Sequence, residues 1–78
     1  MKVTVTKISS HTSKLGGIFY YIFAKTEAGK SVKCCVYPQY RNFQRWERVL
    51  SMAPGTVLDN CIVRGDLLDA DSFPIIKE

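Results

Sequence analysis

Phe19, Tyr21 and Phe23 stand at every second position, and Lys25 continues the series. Residues two apart share a face in a β-strand, so this spacing builds an aromatic row that ends in an amine. Lys33, Cys35 and Tyr37 offer a comparable row a short distance on. Aromatic faces stack on flat unsaturated rings and amines attract anions, so the chemistry on offer is binding rather than bond making. Groups that make or break bonds are sparse. His11 is the single histidine and sits among small polar residues. No glycine-rich phosphate loop, metalloprotease helix motif or nucleophile elbow occurs. Asp66, Asp69 and Asp71 cluster without calcium-loop spacing, and no glutamate closes a loop after them.

Cys34 and Cys35 are adjacent, so on a strand they point to opposite faces and cannot jointly hold zinc. Neither has a basic neighbour arranged to activate a thiolate. With Cys61 the count is odd. Small buried hydrophobes in a reducing cytoplasm are the expectation. The apolar run at residues 18–24 is far too short to cross a bilayer, and no secretory signal is read. The expectation is therefore a cytoplasmic protein that is not an enzyme, needs no cofactor or metal, and has no membrane partner.

The chain has 78 residues, which suits one domain over 1–78. A domain of this size buries only about 60% of the surface its unfolded chain exposes, so it needs every large apolar side chain it can enclose. The net charge of +4 permits an anionic partner without demanding one.

The patterning predicts a mostly-β chain. Val3 and Val5 alternate with polar residues, a strand signature. Ile8 has the wrong parity for that face, which predicts a bulge near Lys7. Residues 9–17, small, polar and ending in paired glycines, read as a mobile loop. Residues 18–26 are a second strand, 27–30 a turn and 31–37 a third strand that Pro38 ends. Phe43, Trp46, Val49, Leu50 and Ala53 follow helical spacing, which predicts a helix over 41–53 capped by Asn42 and stopped by Pro54 and Gly55. Trp46 is its core anchor. Residues 56–64 are a fourth strand whose inward face the pattern leaves open. Residues 73–76 are a short fifth strand, after an acidic turn that discourages edge pairing. Arg64 is free to point into a ligand groove or to pair with Asp66.

The second and third strands should form a hairpin. Placing Ile18, Tyr20, Ile22 and Ala24 in the core with Val32, Cys34 and Val36 requires a three-residue connection, read at 28–30 with Gly29 taking a positive φ. On the outer face this register sets Tyr21 opposite Tyr37, Phe23 opposite Cys35, and Lys25 opposite Lys33. Facing lysines destabilise a sheet, and a row of exposed rings marks a binding surface. In so small a chain the same rings also have a use as core. An intermediate arrangement buries Phe19 and exposes Tyr21 and Tyr37, and Tyr20 and Tyr21 are able to exchange roles. Single-stranded nucleic acid relieves both oddities at once, with bases on the rings and phosphates between the amines. Arg41, Arg45 and Arg48 lie on one predicted helix face, either simply solvated or extending the phosphate path.

The order β-β-β-α-β-β, with the Pro54-Gly55-Thr56-Val57 approach to the fourth strand, resembles the OB-fold single-stranded nucleic-acid-binding proteins, over the whole chain in topology but with weak motifs. The resemblance implies a five-stranded barrel whose groove lies on the second and third strands. It adds the loop carrying His11 and Lys14, and the segment 66–72. Small basic proteins of this kind are similar to accessory proteins of phages, plasmids and other mobile elements. The site expected is Phe19, Tyr21, Phe23 and Tyr37 for stacking, with Lys14, Lys25, Lys33 and Arg41 for phosphate, Tyr40 beside Arg41 where the helix path comes nearest the groove, and DNA favoured over RNA. The rival is a protein–protein module using the same face: a homodimer, a subunit of a larger complex, or an inhibitor of a nucleic-acid enzyme.

Overall fold

Val3 and Val5 both point inward from β1 (Val3–Thr12), and the chain then takes one extra residue before Lys7. That bulge restores parity, so Ile8 also packs against the core, opposite Ile22. β1 therefore runs to Thr12, four residues into the stretch expected to be a loop. The real connection, 13–17, is a tight turn rather than a mobile one. Ser13 and Gly17 pair through the main chain at 2.7 Å, Gly16 N–H donates to Ser13 O at 3.0 Å, and Gly17 N–H donates to Ser13 Oγ at 3.1 Å. The turn from β2 (Ile18–Thr26) to β3 (Ser31–Val36) repeats this design. Gly29 N–H donates to Thr26 O at 2.9 Å, and Lys30 N–H donates to Thr26 Oγ1 at 3.2 Å. In each turn a glycine occupies the left-handed position, φ +87° at Gly16 and +83° at Gly29.

The structure, a computed structural model, describes residues 1–77. It is mostly β, with seven strands in one sheet rather than five in a closed barrel. β4 (Val57–Asp59), β5 (Val63–Arg64), β6 (Leu67–Leu68) and β7 (Ile75–Lys77) complete the order β5-β6-β3-β2-β1-β4-β7. β5 and β7 are its edges, so the hydrogen-bonded ladder stays open. The sheet nevertheless curls strongly. Residues 60–62 link β4, beside one edge, to β5 at the other, and so short a connection spans at most about 14 Å. The single fourth strand expected over 56–64 is broken because Asn60 adopts φ +61°. The kink shifts the alternation, so that Leu58 and Cys61 are both buried. The last strand begins at Ile75, beyond Pro74.

The predicted helix over 41–53 is instead one α-helical turn, α1 (Phe43–Trp46), followed by a 3₁₀ turn at Val49–Ser51. Asn42 makes no cap; its amide donates to Asp71 Oδ1 at 3.3 Å. Trp46 and Val49 are fully buried inside the curl, and Trp46 Nε1 donates to Ala70 O at 2.8 Å. Arg45 Nη1 donates to Asp71 O at 2.8 Å, and its guanidinium lies 3.7 Å from the Phe73 ring centroid. Tertiary partners on residues 70–73 thus fix this segment, and they do not need a long helix. Ser72, fully buried, accepts from Ile62 N–H at 2.8 Å. The acidic turn is a structural tie rather than an open loop, and Arg64 pairs with Asp69 at 3.0 Å, not with Asp66.

Two consequences are measurable by urea unfolding. Trp46→Phe should cost about 1–3 kcal/mol by orphaning the Ala70 carbonyl, and Trp46→Ala about 3–5 kcal/mol. Gly29→Ala should cost about 1–2 kcal/mol for a left-handed alanine. Gly17→Ala should stay within about 0.5 kcal/mol, because an added Cβ there meets only Ser13 Oγ at 3.5 Å.

Candidate nucleic-acid interface

The bulge in β1 and the odd-numbered face of β2 place one set of side chains on the outside of the curl. Three strands contribute in register. Lys7 lies opposite Phe23, Ser9 opposite Tyr21, and His11 opposite Phe19. Across β2, Phe23 faces Lys33 and Tyr21 faces Cys35. The expected register was two residues off. Gly29 must close the turn as its third residue, so the connection is 27–29, and Lys25 meets Ser31 instead of Lys33. The like-charge clash is thereby absent, and Tyr21 does not face Tyr37.

The inward assignment of Ile22, Ala24, Val32, Cys34 and Val36 matches the burial. Tyr20 points inward too and packs against Phe43, so it does not exchange with Tyr21. Ile18, expected in the core, is half exposed because the hairpin has by then run past the core.

The outer rings form an unbroken chain of contacts. Phe23 and Tyr21 have centroids 6.1 Å apart, Tyr21 and Phe19 5.4 Å, Phe19 and Tyr37 5.5 Å, and Tyr37 and Tyr40 5.3 Å. His11 stacks on Phe19 at 5.5 Å and meets Tyr21 edge-on at 5.2 Å. A turn in which Tyr40 N–H donates to Tyr37 O at 3.1 Å folds Tyr40 back onto the row. Phe19, Tyr21, Phe23 and Tyr37 are half-buried by one another, and Tyr40 is exposed. Such packing fixes the rings while leaving faces and edges to solvent.

Amines flank the rings. Lys33 Nζ lies 5.7 Å from the Tyr21 centroid. Lys7 and Lys25 are exposed at the same end. Lys14 is exposed at the tip of the first hairpin, and Arg41 follows Tyr40, also exposed. Arg45 is drawn away to Phe73 and Asp71. The carboxylates of Asp59 and Asp69 are engaged elsewhere, with Lys77 at 3.9 Å and Arg64 at 3.0 Å. Reading the sequence missed Lys7 and Ser9, although the parity change that predicted the bulge also puts them on this face.

Comparison of the chain with protein-family models, curated proteins and solved structures finds no match. What the face does must therefore come from its own geometry. Among the described residues no helix is long and apolar enough to cross a membrane.

The thiols divide by environment. Cys35 lies half-buried on the face, and the Cys35 side chain beside it raises the Tyr37 phenol above its ordinary value. Burial pushes Cys34 up to about 12 and Cys61 up to about 11. A thiol reagent at neutral pH should label Cys35 first and reach Cys34 and Cys61 only on unfolding, which mass spectrometry of partly labelled protein checks. Both buried thiols are neutral when folded but ionise near pH 9 when unfolded. Their contribution to stability is complete below pH 9 and is lost as the pH rises toward 11 and 12. Cys34→Val should flatten that alkaline decline in a pH series of urea midpoints.

Proposed function

We propose that the outer face of β1, β2 and β3 binds single-stranded nucleic acid without catalysing any reaction on it. The observation that carries this reading is the continuous chain of rings from Phe23 to Tyr40, edged by Lys7, Lys25 and Lys33. Every base has a π-face, so stacking on such a row tolerates any sequence, while the amines follow the phosphates. The rings are held by one another before a ligand arrives, which lowers the ordering cost of binding. Strand order supports an OB-type frame: β1 pairs with both β2 and β4, β3 meets β6 in parallel, and the helical turns fall between β3 and β4. Lys14 and Arg41 extend the path at the end where Tyr37 and Tyr40 lie.

Fluorescence anisotropy with oligo-dT and oligo-U of about 20 nucleotides tests the reading. Each ring removed, Tyr21→Ala or Tyr37→Ala, should weaken binding by about 1–3 kcal/mol, roughly 5- to 150-fold. Three to five neutralised phosphates predict a slope of log affinity against log salt between about −2 and −3.5. No binding at low salt would refute the proposal and make the same rings a protein interface, whose affinity salt would scarcely change.

A further inference from the structure

A cleft of about 500 Å³ opens beside the aromatic face, between β3 and the β5–β6 hairpin. Its wall includes Lys33 and Cys35, which also stand opposite Phe23 and Tyr21 on the proposed binding face. Cleft and ring row are therefore contiguous. The seam exists because β3 pairs with β6 only at Lys33 and Leu67. Its volume lies within the range of about 300–1,000 Å³ typical of small-molecule sites.

The polar groups in the cleft are unequally committed. Asp69 uses both carboxylate oxygens, Oδ2 on Arg64 Nε at 3.0 Å and Oδ1 on Asp71 N–H at 2.9 Å. Arg64 is thereby held by its Nε while its terminal nitrogens remain available. Asp71 Oδ1 accepts from the Asn42 amide, and among the described residues its Oδ2 is left for a ligand. Lys33 adds a third polar group, an amine over the Tyr21 ring. The floor is apolar, with Leu68 buried beneath it.

We infer that this cleft takes one base from a strand lying on the rings, and that the base it prefers is guanine; the inference rests on the nucleic-acid reading of that face. Guanine presents a carbonyl acceptor, O6, beside the N1–H and N2–H donors. The acceptor suits the Arg64 terminal nitrogens, and the donors suit the free oxygen of Asp71. Thymine lacks the amino group, adenine lacks the carbonyl, and cytosine carries an acceptor nitrogen, N3, between its carbonyl and amino group where guanine has the N1–H donor. The ring row alone is indifferent to base identity, so any preference must come from a pocket of this kind.

The test is anisotropy on oligo-dT of about 12 nucleotides and on the same strand with one central guanine, adenine or cytosine. The guanine strand should bind about 5- to 10-fold tighter than oligo-dT, the energy of one good polar base contact. Asp71→Asn and, independently, Arg64→Gln should each bring that ratio toward one, with folding checked by circular dichroism. Using the ratio removes any general change in affinity from the readout. Equal affinity for all strands with oligo-dT binding intact would overturn the guanine cleft alone. A guanine preference that survives both substitutions would do the same. No binding to any strand would overturn the ring face and the cleft together.

Discussion

The extra residue between Val5 and Lys7 is the constraint on which both faces of the sheet depend. Without it, β1 would keep strict alternation. Ile8 would turn to solvent, and Lys7, Ser9 and His11 would point into the core. With it, three apolar residues of β1 face inward and three polar ones join the aromatic face. The bulge is fixed from the other side as well. Val5 N–H donates to Thr56 O at 2.8 Å, and Gly55 N–H donates to Val5 O at 2.7 Å. The Pro54-Gly55 turn that ends the helical segment thus clamps the residue next to the bulge and launches β4 along β1. Bulges strengthen the local twist, which suits a sheet that must curl around Trp46.

A chain of this size encloses a narrow core, and the curl serves that need with one sheet. Trp46 and Val49 fill the inside together with Ile22, Ala24, Val32, Cys34 and Val36, the even-numbered side chains of β2 and β3. Their odd-numbered rings are left on the outside. Mutual contact shields part of each ring, and aromatic pairs contribute about 0.5–1.5 kcal/mol beyond area burial, so the row supports the hairpin even without a ligand. The same contacts restrict ring motion, which makes the face a prepared surface for stacking.

Much of this was legible in the residues. The inward face of β2 and β3, the anchoring role of Trp46 and the bulge all followed from parity and spacing, because long strands and one large ring leave strong periodic signals. The hairpin register was open to error by two residues, since parity allows either loop. The deciding signal was present: Ser13-Lys14-Leu15-Gly16 and Thr26-Glu27-Ala28-Gly29 share a hydroxyl residue three positions before a glycine, and both fold alike. The broken helix and the split fourth strand were not legible. Arg45 and Trp46 take their partners from residues 70–73, and Asn60, a residue type that tolerates the left-handed conformation, adopts it where the apolar residues on either side, 57–58 and 61–63, read as one strand. Such choices come from tertiary contacts, and strands of two residues carry no period to read. Lys7 and Ser9 belong with the legible part, because a bulge reassigns every residue after it and the parity of Ile8 marks this one.

In the proposed function one face, defined by the bulge, meets the nucleic acid. Amide chemical shifts of labelled protein titrated with oligo-dT would locate that contact directly. Perturbations should run along β1 from Lys7 to His11 and over the odd-numbered residues of β2 and β3, with Phe73 and Ile75 unchanged. Perturbations centred on Phe73, Ile75 and the β7 edge, with the ring row silent, would contradict that contact.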